Sequence, residues 1–289
     1  MDTTTPTSER MNRISEHPIV SLQEWLPLRT ELLKKEKELT RLRDRLNAER
    51  RALPWVRVEK NYVFDAPGAK VSLTDLFAQR SQLVIYHFMF GPDWKEGCPS
   101  CSFLMDHVDG AVVHLNARDV TMVMVSLAPL ARIEAFKKRM GWRFKWVSSY
   151  GSDFNSDFRV SFTKEQIADG GKLYNFDSIP PYGEECHGLS VFYKNAGGDV
   201  FHTYSTYGRG CEPLVGTYSI LDLVAKGRDE DGLPFTMAWV RHHDRYEELP
   251  QNADSCFHAK EAKYERSLLQ RGRLEAEATD VRPGRSRQV

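Results

Sequence analysis

The stretch "FMFGPDWKEGCPSCSFLMD", residues 88 to 106, decides how this chain is read. An apolar run ends inside it, Cys98 and Cys101 follow with two residues between them, and Pro99 stands directly after the first cysteine. Proline in the first turn of a helix loses no hydrogen bond, because the first amide groups have no partner within the helix. The spacing therefore predicts a helix that opens at the cysteines, with Cys98 at its start and Cys101 one turn on. Unpaired N–H groups and the positive end of the helix dipole favour a thiolate there, which makes Cys98 the attacking sulfur and Cys101 the resolving one. Trp94 and Gly97 give the approach to Cys98 a tight, partly apolar character.

Outward from this point the pattern alternates. "WVRVEKNYVF" reads as a strand, "SLTDLFA" as a short helix capped by Ser72 with Asp75 at its third position, and "QLVIYHFMF" as a strand buried on both faces. The cysteine helix is expected to run to about Ala117. "VTMVMVSL" is a second buried strand, and "PLARIEAFKKRMG" a helix starting at Pro129 and ending at Gly141. "GLSVFYKNAGGDVFHTYSTY" is a hairpin turning on Gly197 and Gly198, and "EPLVGTYSILDLVAKG" a closing helix. Strand, helix, strand, helix, hairpin, helix, with C-x-x-C opening the first helix, is the order of a thioredoxin-like α/β fold, a central mixed sheet flanked by helices.

Before this core, "LPLRTELLKKEKELTRLRDRLNAERRALPW" spaces Leu32, Leu39, Leu46 and Leu53 seven apart, with Leu42 beside them and Pro54 as the stop. One amphipathic helix over about 21–52 is expected. Its apolar stripe either packs on the core or pairs with a second subunit, giving a homodimer through the helical arm. The organisation that follows is a mobile tail over 1–17, the arm over 18–54, the thioredoxin-like domain over 55–250 with an inserted segment at about 141–186, and a polar, mobile tail over 251–289. The inserted segment is too long for a simple loop and is expected to fold over the active site as a lid or substrate wall.

Composition narrows the setting. The chain has 289 residues, 41% hydrophobic and 28% charged, with a formal net charge of zero, a balance that favours neither a nucleic-acid nor a membrane-surface partner. The first thirty residues lack the pattern of a signal peptide, and no apolar run reaches membrane-spanning length. Five cysteines are too few and too odd in number for a secreted disulfide framework, so a cytoplasmic location is expected.

The segments "HPIVSLQEWLPLRTELLKKEKELTRLRDRL", "LPWVRVEKNYVF", "YHFMFGPDWKEGCPSCSF", "MGWRFKWVSSYGSDFNSDF", "VFHTYSTYGRG" and "KGRDEDGLPFTMAWVRHH" together resemble the bacterial domain-of-unknown-function 899 family over about 17–245. That family is grouped with thioredoxin-like proteins, so the resemblance implies a fold and leaves the activity to be argued from the site.

Two departures from related proteins sharpen the chemistry. Peroxiredoxins, which the "SLTDLF" region also resembles, carry Thr or Ser three residues before the reactive cysteine. Here Lys95 holds that place and Pro92 is one residue too close, which argues against that peroxidase chemistry, although Arg209 in "YGRG" could supply an anion contact. The second departure is His187. Thioredoxin-like folds place a cis-proline before the strand that opens the hairpin; if "GLSVF" is that strand, His187 stands in the proline position and Pro180 and Pro181 lie too far upstream. In this the chain partly resembles the copper chaperones of cytochrome oxidase, whose cysteines are spaced C-x-x-x-C.

Two functions follow. The first is a thiol-disulfide oxidoreductase using Cys98 and Cys101 on an unknown thiol, disulfide or small-molecule substrate, with no cofactor required. The second is a copper or zinc site on Cys98, Cys101 and His187, with Cys186, His202 or water completing a zinc shell. In the first reading His187 only tunes the Cys98 thiolate, and Cys186 is an inert buried thiol. A third, an interaction protein built around the arm, leaves the cysteines incidental. His107 and His114, one about 10 Å along the helix from the other, are expected at the surface or in caps. His202 faces the site or solvent, His242 and His243 are structural with at most one at a site, and Cys211 and Cys256 are unpaired thiols.

Overall fold

Among residues 17–246, which the computed structural model describes, eight strands form one mixed sheet. The mobile tails and Cys256 expected from the sequence lie outside those residues, apart from His17 at the edge of the first tail. Helix α1 (Leu22–Ala52) begins at Ser21, whose hydroxyl accepts from the Glu24 amide while the Glu24 carboxylate accepts from the Ser21 amide, a reciprocal cap. No side chain of α1 is buried, and Leu32, Leu39, Leu46 and Leu53 all stay exposed. Packing of the leucine stripe on the core, one of its two expected uses, is therefore not what the chain does.

The expected single strand "WVRVEKNYVF" is two. β1 (Val56–Arg57) pairs antiparallel with the last strand, β8 (Val200–Tyr207), and β2 (Val63–Ala66) lies far across the sheet, paired with β3 (Ala69–Ser72). Glu59, Lys60 and Asn61 supply the polar break, while Val58 and Tyr62 pack into the core beneath as the chain crosses. Ser72 and Asp75 form the expected reciprocal cap of α2 (Leu73–Leu76).

β4 (Gln82–His87) is followed by α3 (Pro99–Val108), a 3-10 turn over Asp109–Ala111, α4 (Val112–Asn116) and β5 (Val120–Ser126). The cysteine helix is thus broken near Gly110 instead of running unbroken to Ala117. α5 (Leu130–Arg139) ends at Gly141, whose φ of +68° suits a residue without a Cβ. β6 (Lys145–Ser148), α6 (Phe154–Asp157) and α7 (Lys164–Ala168) come from the segment expected to be an insertion, so its first part belongs to the central sheet. The hairpin β7 (Gly188–Lys194) and β8 (Val200–Tyr207) follows, then a 3-10 stretch over Gly208–Leu214 and α8 (Gly216–Leu221), a shorter closing helix than expected.

The strand order is β1-β8-β7-β4-β5-β6-β2-β3, with β4, β5 and β6 parallel and β7 antiparallel to β4. This is the thioredoxin-like arrangement, carried with the N-terminal helical arm. Alternation along β4 builds two cores: Val84, Tyr86 and Phe88 meet α3 and α5 on one face, while Leu83, Ile85 and His87 meet Phe77 and Phe154 on the other. No helix among the described residues is long and apolar enough to cross a membrane. The described residues up to Arg245 pack as one compact unit.

The second core encloses a polar chain. His87 Nε2 lies 2.9 Å from Ser190 Oγ, Ser190 Oγ 2.8 Å from Ser205 Oγ, and Ser205 Oγ 2.8 Å from His202 Nε2. His202 packs against Phe158 and Phe192 there, half-buried and on the face away from the cysteines. Burial pushes the His87 imidazolium down to about 3. Between pH 6.5 and 3 the unfolded chain binds a proton that the folded chain refuses, so this contribution is complete above pH 6.5 and is lost as pH falls. Denaturant titrations of wild type and His87→Phe across that range should diverge in slope, with the wild type losing about 2 kcal/mol more between pH 7.5 and 5.

Candidate functional site

The loop between β4 and α3 doubles back on the end of the strand. Gly97 makes this possible, since a Cβ built on it would stand 2.6 Å from a Phe88 ring carbon and 2.8 Å from one of Phe136. With the backbone pressed in, the Cys98 amide donates to the Met89 carbonyl at 3.0 Å. His242 Nε2–H donates to the Gly97 carbonyl at 2.8 Å, and its Nδ1 accepts from Arg139 at 3.1 Å. Arg139 and Arg245 both pair with Glu96, and Arg132 donates to the carbonyls of Pro92 and Trp94. The histidine expected to be structural therefore holds the residue directly before Cys98.

Cys98 is the N-cap of α3, half-buried, with Pro99 as the first helical residue. The Cys101 thiol donates to its sulfur, and the amides of Cys101 and Ser100 add to this. Together they outweigh burial and hold the Cys98 thiol down to about 7. Cys101 is buried, and burial pushes its thiol well up, reinforced by the hydrogen bond it gives to Cys98. Beneath it the Tyr86 hydroxyl donates to Cys101 Sγ at 3.4 Å.

His187 precedes β7 directly, as the proline-position reading expected, and its ring centroid lies 6.5 Å from that of Tyr86. Its Nε2–H donates to the Gly208 carbonyl at 3.1 Å, which leaves Nδ1 to accept from the Tyr182 hydroxyl at 2.7 Å. The Tyr182 hydroxyl also receives the His187 amide and lies 3.6 Å from Met89 Sδ. The Tyr174 hydroxyl donates to the His187 carbonyl and accepts from the Gly208 amide. Residues 174–187 of the inserted segment thus form a wall beside the dithiol, while its β6 portion does not. Burial lowers the His187 pKa, so the ring is neutral near pH 7.

These partners bear on copper or zinc. Both His187 nitrogens are engaged, and Tyr182 would have to leave Nδ1 before the ring could ligate. Among the described residues no three His, Cys, Asp or Glu side chains are grouped so as to hold a metal ion. His202, named as a further ligand, lies on the opposite face of the sheet. Cys186 is buried, with burial raising it to about 11, and Cys211 likewise to about 12. His107 caps α8, its Nε2 accepting from the Thr217 amide at 3.0 Å; His114 is exposed, and Arg209 is exposed and paired with Glu212. Tyr86 was missed by the sequence reading although period-two alternation along "QLVIYHFMF" places it under the helix start; Tyr182 and His242 gave no comparable signal.

Residues 14–246 match the family described as bacterial protein of unknown function (DUF899). Among curated proteins none matches the chain. Of solved structures, peroxidoxin BcpB from Mycobacterium tuberculosis is 12% identical, over 57% of this chain and 95% of its own, with a TM-score of 0.38. The mitochondrial 2-cys peroxiredoxin from Plasmodium falciparum is 14% identical over 57% and 92%, with a TM-score of 0.34. A secreted Mycobacterium tuberculosis disulfide oxidoreductase homologous to E. coli DsbE is 14% identical over 54% and 92%, with a TM-score of 0.30.

Iodoacetamide should alkylate Cys98 with a rate that rises through about pH 7 and then levels, and Cys101→Ala should move that midpoint upward by removing the principal donor; peptide mass mapping across pH reads both. Gly97→Ala should destabilise the fold by about 1–3 kcal/mol, because the added methyl overpacks the Phe88 and Phe136 rings, measured by denaturant unfolding.

Proposed function

The chain belongs to the bacterial family of unknown function DUF899, and within it we propose a thiol-disulfide oxidoreductase whose working groups are Cys98 and Cys101. One observation carries the reading: two thiols in hydrogen-bonding contact at a helix start are displaced in opposite directions, the half-exposed one toward thiolate and the buried one toward thiol. That division of labour is what an attacking and a resolving sulfur require.

In the forward step the Cys98 thiolate bonds one sulfur of a substrate disulfide and the other leaves as a thiolate. Cys101 gives up its proton to that departing thiolate and attacks Cys98 Sγ, and the second substrate thiolate leaves. The substrate gains two electrons and becomes a thiol and a thiolate, the latter taking its proton from solvent, while the dithiol loses two and becomes the Cys98–Cys101 disulfide. Neither a metal nor an organic cofactor takes part. The neutral His187 ring, fixed by Tyr182 and Gly208, lends the thiolate no positive charge, so the lowering at Cys98 rests on the hydrogen bonds from Cys101 and Ser100. Its place before β7 also supports the metal reading, against which stand the engaged ring nitrogens.

Purified protein should differ by about 2 Da between its reduced and oxidised forms. It should reduce a model protein disulfide in the presence of a small thiol, Cys98→Ser should abolish that activity, and Cys101→Ser should accumulate a mixed disulfide on Cys98. An unchanged mass together with full activity in Cys98→Ser overturns the proposal. Near-stoichiometric copper or zinc in protein purified without added metal, lost in His187→Ala, would transfer the site to metal binding.

A further inference from the structure

We propose that Tyr86 is a positioning residue for the second sulfur, its hydroxyl and the Met89 amide forming a two-donor site that receives negative charge on Cys101 once Cys98 has reacted. The inference rests on the dithiol reading above and deepens it.

The geometry is specific. Tyr86 is 1% exposed and Cys101 2%, so water has no ready access to either polar group. A buried hydroxyl needs a partner, and this one donates to Cys101 Sγ at 3.4 Å. Tyr86 otherwise lies among apolar and aromatic groups, its ring edge-on to Phe88 with centroids 6.4 Å apart, where phenylalanine would serve equally well for packing. The Met89 amide is the second donor to the same sulfur. Its carbonyl receives the Cys98 amide, so one peptide segment is fastened to both cysteines.

Two donors aimed at a sulfur that rests as a thiol exert their full strength only when that sulfur carries charge. Burial and the neighbouring Cys98 thiolate both oppose charge on Cys101. Formation of the mixed disulfide on Cys98 removes the second opposition, because a disulfide sulfur carries no charge and no longer accepts the Cys101 S–H. The donors from Tyr86 and Met89 remain. The proton on Cys101 passes to the departing substrate thiolate, Cys101 Sγ bonds Cys98 Sγ, and the bond between Cys98 and the substrate breaks with its electron pair leaving on the second thiolate. Tyr86 itself stays protonated throughout, burial having pushed its own ionisation well up, so it acts as a donor and not as a base. Charge therefore moves inward by one helical turn in a fixed order, and premature ionisation of Cys101 is suppressed until there is a disulfide to resolve.

The test uses the full chain with Cys186, Cys211 and Cys256 replaced by alanine and the chromogenic disulfide dithiobis(nitrobenzoic acid). Attack by Cys98 releases a first equivalent of chromophore, and resolution by Cys101 a second. Tyr86→Phe should leave the first phase unchanged, slow the second roughly tenfold at pH 7, and displace the pH profile of the second phase upward by about one unit. Difluorotyrosine in place of Tyr86, a stronger hydrogen-bond donor of nearly the same shape, should move the second phase the opposite way and covers the case of a phenylalanine variant that does not fold. An unaltered second phase and profile in Tyr86→Phe or in the difluorotyrosine chain overturns the assignment of Tyr86 while leaving the dithiol reading standing. Release of only one equivalent by the unmutated Tyr86 chain instead overturns the dithiol reading.

Discussion

The site depends on the absence of a side chain at Gly97. Backbone pressed against Phe88 and Phe136 lets the loop return to the strand it left, and only from there can the Cys98 amide reach the Met89 carbonyl. Helix α3 then starts above the end of β4, so that strand alternation puts Tyr86 beneath Cys101. The aromatic cluster that crowds Gly97, with Phe88 4.4 Å from Trp146 and Phe136 5.8 Å from Trp142 between ring centroids, is rigid because such pairs add directional preference to burial. Electrostatics completes the site from outside, where Glu96, Arg139, Arg245 and Asp244 fasten the loop through half-exposed ion pairs and the buried His242 reaches the Gly97 carbonyl.

Much of this was legible. The thioredoxin-like order followed from apolar runs and helix signals that depend on nearest neighbours in sequence, and the cap at Ser72 and the cysteine helix start are local in the same way. The readings that failed required long-range information. "WVRVEKNYVF" has the composition of one strand, yet its halves bond to opposite margins of the sheet, and nothing within ten residues encodes that. β6 was hidden inside a segment that looked like an insertion because "KWVS" is too short to announce a strand, and it is held by its register with β5. The broken cysteine helix was readable in hindsight from Asp109-Gly110, since glycine weakens a helix interior and Asp109 turns to accept from the amides of Arg143 and Phe144.

At the site the same division holds. Cys98 and Cys101 announce themselves by spacing, and His187 by the position of the strand that follows it. What surrounds them does not, because a tyrosine hydroxyl at residue 182 or an imidazole at residue 242 acquires meaning only once the chain has folded back over 93 or 145 residues to meet Met89 and Gly97. His202 misled because alternation tells which side chains share a face, while the register irregularity between Val191 and Phe192 decides which core that face belongs to.

The strand pair flanking the break at residues 59–61 has a further implication. The stretch from Val56 to Ser72 supplies β1 at one margin of the sheet and β2 with β3 at the other, so a single short piece of chain hems both free sides. β1 is only two residues long, and Arg57 and Lys70 put charge on the outermost strands. Loss or loosening of this one stretch would uncover the long β8 on one side and β6 on the other at the same moment. The fold's weakness is therefore toward self-association by strand addition at both margins together, and the hem that guards against it lies in sequence immediately beside the exposed leucine-bearing arm.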